Sequence, residues 1–157
     1  MSMSKMCLKP VGFVQTEAVG KEVNTKTVVS KIVFNEEYLE ALFGIEDFSH
    51  LFVLFWLHET SEKNRKKLKT HPCGREDMPL VGLFATCTPH RPNPIGLTRV
   101  KLLDVQGNVI TVQGLDAFNG TPVLDIKPFD HWEKSSDFKI PDWWKQIVKE
   151  RKKKKNV

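Results

Sequence analysis

A chain of 157 residues, 40% of them apolar and 27% charged, is long enough for one domain with a substantial core, and no run approaches the roughly 18 apolar residues of a membrane-spanning helix. Residues 1–5 are polar and carry no signal-peptide core, and Cys7, Cys73 and Cys87 are widely spaced without a CxxC, which argues against a disulfide framework or a zinc centre; a soluble cytoplasmic protein with reduced thiols, no membrane contact and no metal is expected. The net charge of +5 resides in residues 149–155, where six cations face Glu150 alone, so the remainder is formally neutral.

Residues 10–15 (PVGFVQ) alternate apolar side chains at Val11 and Phe13, with strand-prone Val14, and predict a first short strand. Residues 19–27 are small and polar and read as a loop around Gly20. The β-branched run TVVSKIVF, residues 27–34, predicts a second strand. Asn35 then offers an N-cap ahead of Glu36 and Glu37, which suit the positive end of a brief helix ending at Gly44. Residues 49–58 (SHLFVLFWLH) hold seven consecutive apolar residues, too few for a buried helix, and predict a strand covered on both faces. A barrel strand packed outside by a helix or a partner subunit would satisfy this. Residues 60–79 are charged, with Lys63, Arg65, Lys66, Lys67 and Lys69, and form either a solvated loop or one that faces RNA.

Residues 80–86 predict a strand running into the proline-rich stretch, and residues 95–105 the strand that leaves it. Gln106-Gly107-Asn108 is a hairpin turn, since Gly and Asn tolerate positive φ, and residues 109–115 alternate as its partner. Residues 116–122 (DAFNGTP) form a second polar loop, and residues 123–128 (VLDIKP) a short strand ended by proline. A last helix starts at Pro141 and sets Trp144, Ile147, Val148 and Arg151 on one face able to dock on the strands. About seven short strands and two helices without βαβ alternation predict a mainly β fold with minor α, an antiparallel barrel or sandwich. One domain spans residues 1–148, followed by a basic tail at 149–157.

The most constrained stretch is LFATCTPHRPNPIGLT, residues 83–98. Each proline fixes its own φ and biases the preceding residue toward extended backbone, so Arg91 and Asn93 sit in a stiff loop. Such a loop suits a binding site; it equally suits the plain ending of strand pairing at a sheet edge. His58 reads as a site residue or as a hydrogen-bonded core group, His50 and His71 as structural or surface groups, and His131 has no informative context. No paired base is identifiable for Cys87, which reads as a small apolar residue.

HRPNPIGLT after GLFAT, preceded by DFSHLFVLFWLHE and followed by GLDAFNGTPVLDIKPF, resembles the TsaA-like, or TrmO-type, tRNA methyltransferase family over residues 11–129. Three motifs in the same order make the resemblance specific. It implies a small antiparallel β-barrel that binds S-adenosylmethionine without a Rossmann sheet, pairs as a homodimer with the cofactor near the subunit contact, and methylates N6 of threonylcarbamoyl-adenosine beside the anticodon of a threonine tRNA. The cofactor is expected among His58 and Glu59; Thr86, Arg91, Pro94, Gly96 and Leu97; and Leu115, Asp116, Ala117, Asn119, Gly120 and Thr121. Cys87 stands where many members have an arginine, and residues 17–27 lack the proline- and glutamine-containing segment common after the first strand. The C-terminal extension of bacterial members has no counterpart here.

Methyl transfer from a sulfonium is an in-line displacement with a good leaving group, so aligning donor and nucleophile matters more than a strong base. The resemblance and this chemistry assign Arg91 a charge-assisted contact to the cofactor carboxylate or a substrate phosphate, and Asn93 the orientation of the acceptor amine. Asp116 or Asp125 would bind cofactor hydroxyls or ammonium, or accept the amine proton. Arg91, Asn93 and Asp125 are thus the expected catalytic residues, with a structural ion pair between Arg91 and either aspartate as the alternative. The tRNA would meet Lys63, Arg65, Lys66, Lys67 and Lys69 and the tail Lys152, Lys153, Lys154 and Lys155. Two other readings use the same barrel: a non-catalytic protein binding S-adenosylmethionine or another small ligand, supported by Cys87, and a methyltransferase with a non-tRNA substrate.

Overall fold

The computed structural model describes residues 6–24, 26–130 and 137–153. Residues 1–5, His131, Lys154 and Lys155, all named above, lie outside the described residues. Six strands close into an antiparallel barrel: β1 (Gly12–Gln15), β2 (Val29–Phe34), β3 (His50–Trp56), β6 (Ile95–Gln106), β7 (Val109–Gln113) and β8 (Pro122–Pro128). Their order around the wall is β1-β2-β7-β6-β3-β8, with β8 returning to β1. Two further strands, β4 (Lys69–Thr70) and β5 (Val81–Gly82), pair only with each other. About seven strands were expected; the barrel has six and the ribbon two.

The period-2 pleat fills the barrel. Leu51, Val53 and Phe55 of β3 are buried, while Phe52, Leu54 and Trp56 on its outer face are half-covered. Phe129 packs edge-on against Phe52, and Arg65 lies over Trp56, which explains why this strand is apolar on both sides. Val14, Ile32, Val100, Ile110, Val112 and Val123 complete the interior, with Leu42 and Leu115 added from connecting segments. In β1 the alternation runs opposite to expectation: Gly12 and Val14 face in and Phe13 is 43% exposed.

Three connections differ from expectation. Residues 19–27 contain a 3-10 turn, Gly20–Asn24, that buries Val23. Residues 36–42 wind as a 3-10 helix, and Asn35 does not cap it, because its amide donates to the Pro10 carbonyl at 3.0 Å and its backbone N–H to Val11. Asn35 therefore ties the chain ahead of β1 to the end of β2. Residues 80–86 do not enter the barrel: only Val81–Gly82 is extended, and the Leu83 N–H bonds back to Leu68 before a 3-10 turn at Leu83–Ala85. This pairing is satisfied inside the 60–85 excursion, and the prolines ahead prevent the strand from lengthening.

That excursion is more than a loop. Ser61 caps α1 (Glu62–Arg65) through the Asn64 N–H, and a 3-10 turn at Pro72–Gly74 follows β4. The last helix, α2 (Asp142–Lys153), buries Ile147 and continues past residue 148, so Lys149, Arg151, Lys152 and Lys153 are helical. Among the described residues, its polar ties to other elements run to the excursion: Arg75 pairs with Glu150, and Arg151 donates to the Cys73 sulfur at 3.4 Å. Among the described residues, no helix is long and apolar enough to cross a membrane.

Candidate active site

Antiparallel alternation brings the ends of β1, β3 and β7 and the starts of β2, β6 and β8 to one mouth of the barrel. The three motif segments of the sequence leave the wall here. The Leu57 N–H donates to the Pro94 carbonyl at 2.7 Å, joining the end of β3 to the proline loop. Nδ1 of His58 lies 3.4 Å from the Thr121 hydroxyl, joining β3 to the start of β8. The Thr98 hydroxyl donates to Asp116, joining β6 to the 114–121 turn. That turn is itself held by Asn119, which accepts from the Thr16 N–H at 3.1 Å, and by the Gly120 N–H, which donates to Val14. Leu115 and Ala117 are buried and plug the barrel, while Asp116, Phe118 and Asn119 remain exposed around them.

The proline loop is braced from both sides. The Thr60 hydroxyl donates to the Pro89 carbonyl, and Arg91 Nη1 donates to the Thr86 carbonyl at 2.8 Å, with its guanidinium 5.6 Å from the Phe84 ring centre. Pro94 is fully buried, Asn93 is exposed and Cys87 is an exposed free thiol. The ion pair between Arg91 and an aspartate is not formed: Asp116 accepts from Thr98, and Asp125 pairs with Lys127 at 2.8 Å.

Asp125 is the predicted catalytic residue that the fold sets apart. It stands opposite Leu54 on the outer wall of the barrel, its carboxylate also accepting from the Ile126 N–H. Its hydrogen bond, and then its charge, raise the Lys127 ammonium pKa. Gly96 has a packing role, because a Cβ there would run into the Phe55 ring inside the barrel. Glu59 and Leu97 are exposed on the mouth rim and outer wall respectively.

Thr60 was not legible as a site residue, and Thr98 and Phe84 were legible only as members of the motif stretch. Thr60 is the first buried polar residue after an apolar run, and Thr98 sits at an inward position of β6; those are faint signals that only pairing partners turn into a role. Nδ1 of His90 and Oγ of Ser30 are buried without a hydrogen-bond partner, the first in the proline loop and the second inside the wall near this mouth. Buried polar atoms of this kind call for a ligand or another explanation. Lys63, Lys66, Lys67 and Lys69 are exposed on the excursion, and Lys152 and Lys153 on α2. Arg65 instead donates to the Thr60 carbonyl at 3.1 Å and lies 5.5 Å from the Trp56 ring centre.

The mouth therefore offers a guanidinium, a carboxylate, amide and imidazole groups, and exposed aromatic rings at Phe84 and Phe118. This donor set fits an amphiphilic ligand carrying a carboxylate, hydroxyls and a flat heterocycle. Among the described residues no three His, Cys, Asp or Glu side chains come together as a metal site would require.

The profile of the tRNA-methyltransferase O N-terminal domain family matches residues 13–133. A probable S-adenosyl-L-methionine-binding protein of Methanocaldococcus jannaschii is 42% identical over 123 residues, covering 78% of this chain and 90% of that protein. The human tRNA (adenine(37)-N6)-methyltransferase is 43% identical over 101 residues, which is 64% of this chain but 22% of the human protein. The crystal structure of TrmO from Pseudomonas aeruginosa superposes with a TM-score of 0.69 at 26% identity, over 87% of this chain and 62% of that one. The chain thus spans nearly all of the archaeal relative and under two thirds of the solved TrmO chain.

Proposed function

The chain belongs to the TrmO N-terminal-domain family, and from that premise we propose that it is an S-adenosylmethionine-dependent methyltransferase acting in the cytoplasm on N6 of the adenosine beside a tRNA anticodon, most readily threonylcarbamoyl-adenosine. The observation that carries this reading is the meeting of three motif segments at one mouth, through Leu57 with Pro94, His58 with Thr121 and Thr98 with Asp116.

When bound, S-adenosylmethionine supplies a methyl group on a sulfonium that leaves as a neutral thioether. The protein's part is to orient. Arg91, braced against Thr86 and Phe84, directs a positive charge at the stretch ending in Cys87 and serves the cofactor carboxylate. In this reading Arg91 replaces the arginine that many relatives have at the Cys87 position. His58, Glu59, Thr86, Pro94, Leu97, Leu115, Asp116, Ala117, Asn119, Gly120 and Thr121 make up the remaining cofactor contacts, and Gly96 contributes through the shape of the strand. Asn93, exposed at the loop tip, orients the N6 acceptor by hydrogen bonding to the group it belongs to. The amine loses a proton as it gains the methyl group, and Asp116, joined to β6 through Thr98, is a carboxylate at the mouth able to take it.

Asp125 joins the site through a second copy. Ile95 is 37% and Leu97 62% exposed, an apolar surface on the outer wall beside Leu54 and Asp125 that a homodimer would cover. The cations of the excursion and of α2, with Lys154 and Lys155 beyond it, meet tRNA phosphates.

Incubating the purified chain with S-adenosylmethionine and tRNA, with or without threonylcarbamoyl-adenosine, and digesting the product for nucleoside mass spectrometry tests the reading. One new methylated adenosine is expected. Cofactor binding by calorimetry without methylation of either tRNA would support a cofactor-binding protein instead, and absence of cofactor binding would overturn both.

A further inference from the structure

The barrel mouth opposite the motif loops is closed by residues 35–49, which carry Glu36, Glu37, Glu40, Glu46 and Asp47 and no Lys or Arg. Leu42 from this segment enters the core and Ile45 packs against it, but Phe43 and Leu39 do not follow: Phe43 is 95% exposed and Leu39 47%. The backbone holds them out. Phe43 is extended, and Gly44 at φ +83 reverses the chain into the next 3-10 turn, Ile45–Asp47.

Leu39 and Phe43 border an open groove of about 610 Å³ whose other side is Val105 and Gly107 of the β6–β7 hairpin, with Glu40 and Glu46 on its rim. A second hollow of about 420 Å³ continues past Phe48 to Leu103, rimmed by Asp47 and Asp104. Glu46 and Val105 belong to both, so the two form one channel across this end of the barrel. Phe48 and Leu103 are themselves 38% and 44% exposed.

We propose that this channel is a docking site for a basic amphipathic segment of a protein partner, its apolar side chains seated against Leu39, Phe43 and Leu103 and its Lys or Arg groups against Glu40, Glu46 and Asp104. Apolar groups clustered in a groove and rimmed by one sign of charge mark interaction surfaces. The sign selects the partner. Carboxylates on both rims repel the phosphates of RNA, and a second copy presenting the same acidic face would meet like charge across the contact. Within this chain the cationic helix α2 already buries Ile147 and engages Glu150 against Arg75. A different polypeptide with Lys or Arg flanking large apolar residues fits what remains, in the manner of helix-in-groove recognition.

A fluorescein-labelled peptide of Leu and Lys at helical spacing serves as the probe, with a Leu and Glu peptide of the same pattern as its counterpart, and anisotropy is read on the full chain. The Leu/Lys peptide is expected to bind saturably and more weakly as salt rises. Phe43→Ser, and separately Glu40→Lys with Glu46→Lys, should each weaken it by roughly tenfold or more, as truncation of an interface hot spot does. These side chains line the surface groove, and circular dichroism of the variants verifies the fold. Equal affinity in the variants, equal binding of the Leu/Glu peptide, or no binding would overturn the proposal. Sedimentation showing a self-association of the chain that Phe43→Ser abolishes would overturn it in favour of a second copy.

Discussion

Arg91 spends its hydrogen bond on a neutral carbonyl and its flat face on a phenyl ring, so the loop positions its charge without neutralising it. Arg91→Ala is expected to weaken S-adenosylmethionine binding by roughly 10- to 100-fold, the equivalent of one charge-assisted hydrogen bond of about 1.5–3 kcal/mol. Arg91→Lys should recover only part, since an ammonium lacks the planar fork. Calorimetry decides, and unchanged affinity would reduce Arg91 to a loop brace. Gly96 makes a separate case. Its glycine is demanded by the Phe55 ring on the inner wall, so Gly96→Ala should destabilise the fold by about 1–3 kcal/mol as an overpacked site does. Chemical denaturation measures this, and adding Phe55→Leu should return part of the loss. Gly96 was legible as a motif residue, but its reason was not, because nothing in the order of residues says that Phe55 packs across it.

At the scale of elements, the strands legible from alternation or from unbroken apolar and β-branched runs are those that line the core, since β2, β3, β6, β7 and β8 owe their extended form to side chains that fill the barrel. β4 and β5 were not, because two-residue strands are decided by a partner found only on folding. The same holds for the seat of α2. Its apolar face was visible, but the Arg75–Glu150 and Arg151–Cys73 ties join residues more than 70 positions apart. Arg75 holds the Glu150 carboxyl below its ordinary pKa and likewise that of Asp77. A carboxylate with a lowered folded-state pKa contributes its stabilisation above the ordinary carboxylate range and loses it as pH falls through the lowered value. The seating of α2 should therefore weaken on acidification below the ordinary carboxylate range, read as a change in Trp143 and Trp144 emission. Glu150→Gln should remove most of that response. The pair is solvent-exposed, so added salt should weaken it as well.

For the whole molecule, the excursion and α2 place two basic segments, distant in sequence, on one body: residues 61–75 hold six cations against Glu62, and the end of α2 adds Lys149, Arg151, Lys152 and Lys153. If tRNA is held through them, removing residues 152–157 takes away four lysines and should lower the slope of log affinity against log salt by roughly 3, at somewhat less than one unit per phosphate contact. An unchanged slope would assign those lysines to solvent. The charge balance could be read from composition; its arrangement could not, because closure of the barrel decides which segments share an end.

That closure also gives the protein a direction. Residues 35–49, negative at one end of the barrel, and the cations of the excursion, which leaves from the other, and of α2, which is tied to the excursion, set charge of opposite sign apart on one body. In the field of a polyanion it should turn before it touches, arriving with the motif loops foremost. Such steering acts on the association rate and fades with ionic strength. Replacing Glu36, Glu37 and Glu40 by glutamine should raise the rate of RNA capture in stopped-flow while lowering the fraction of encounters that lead to turnover, because the far end would no longer repel.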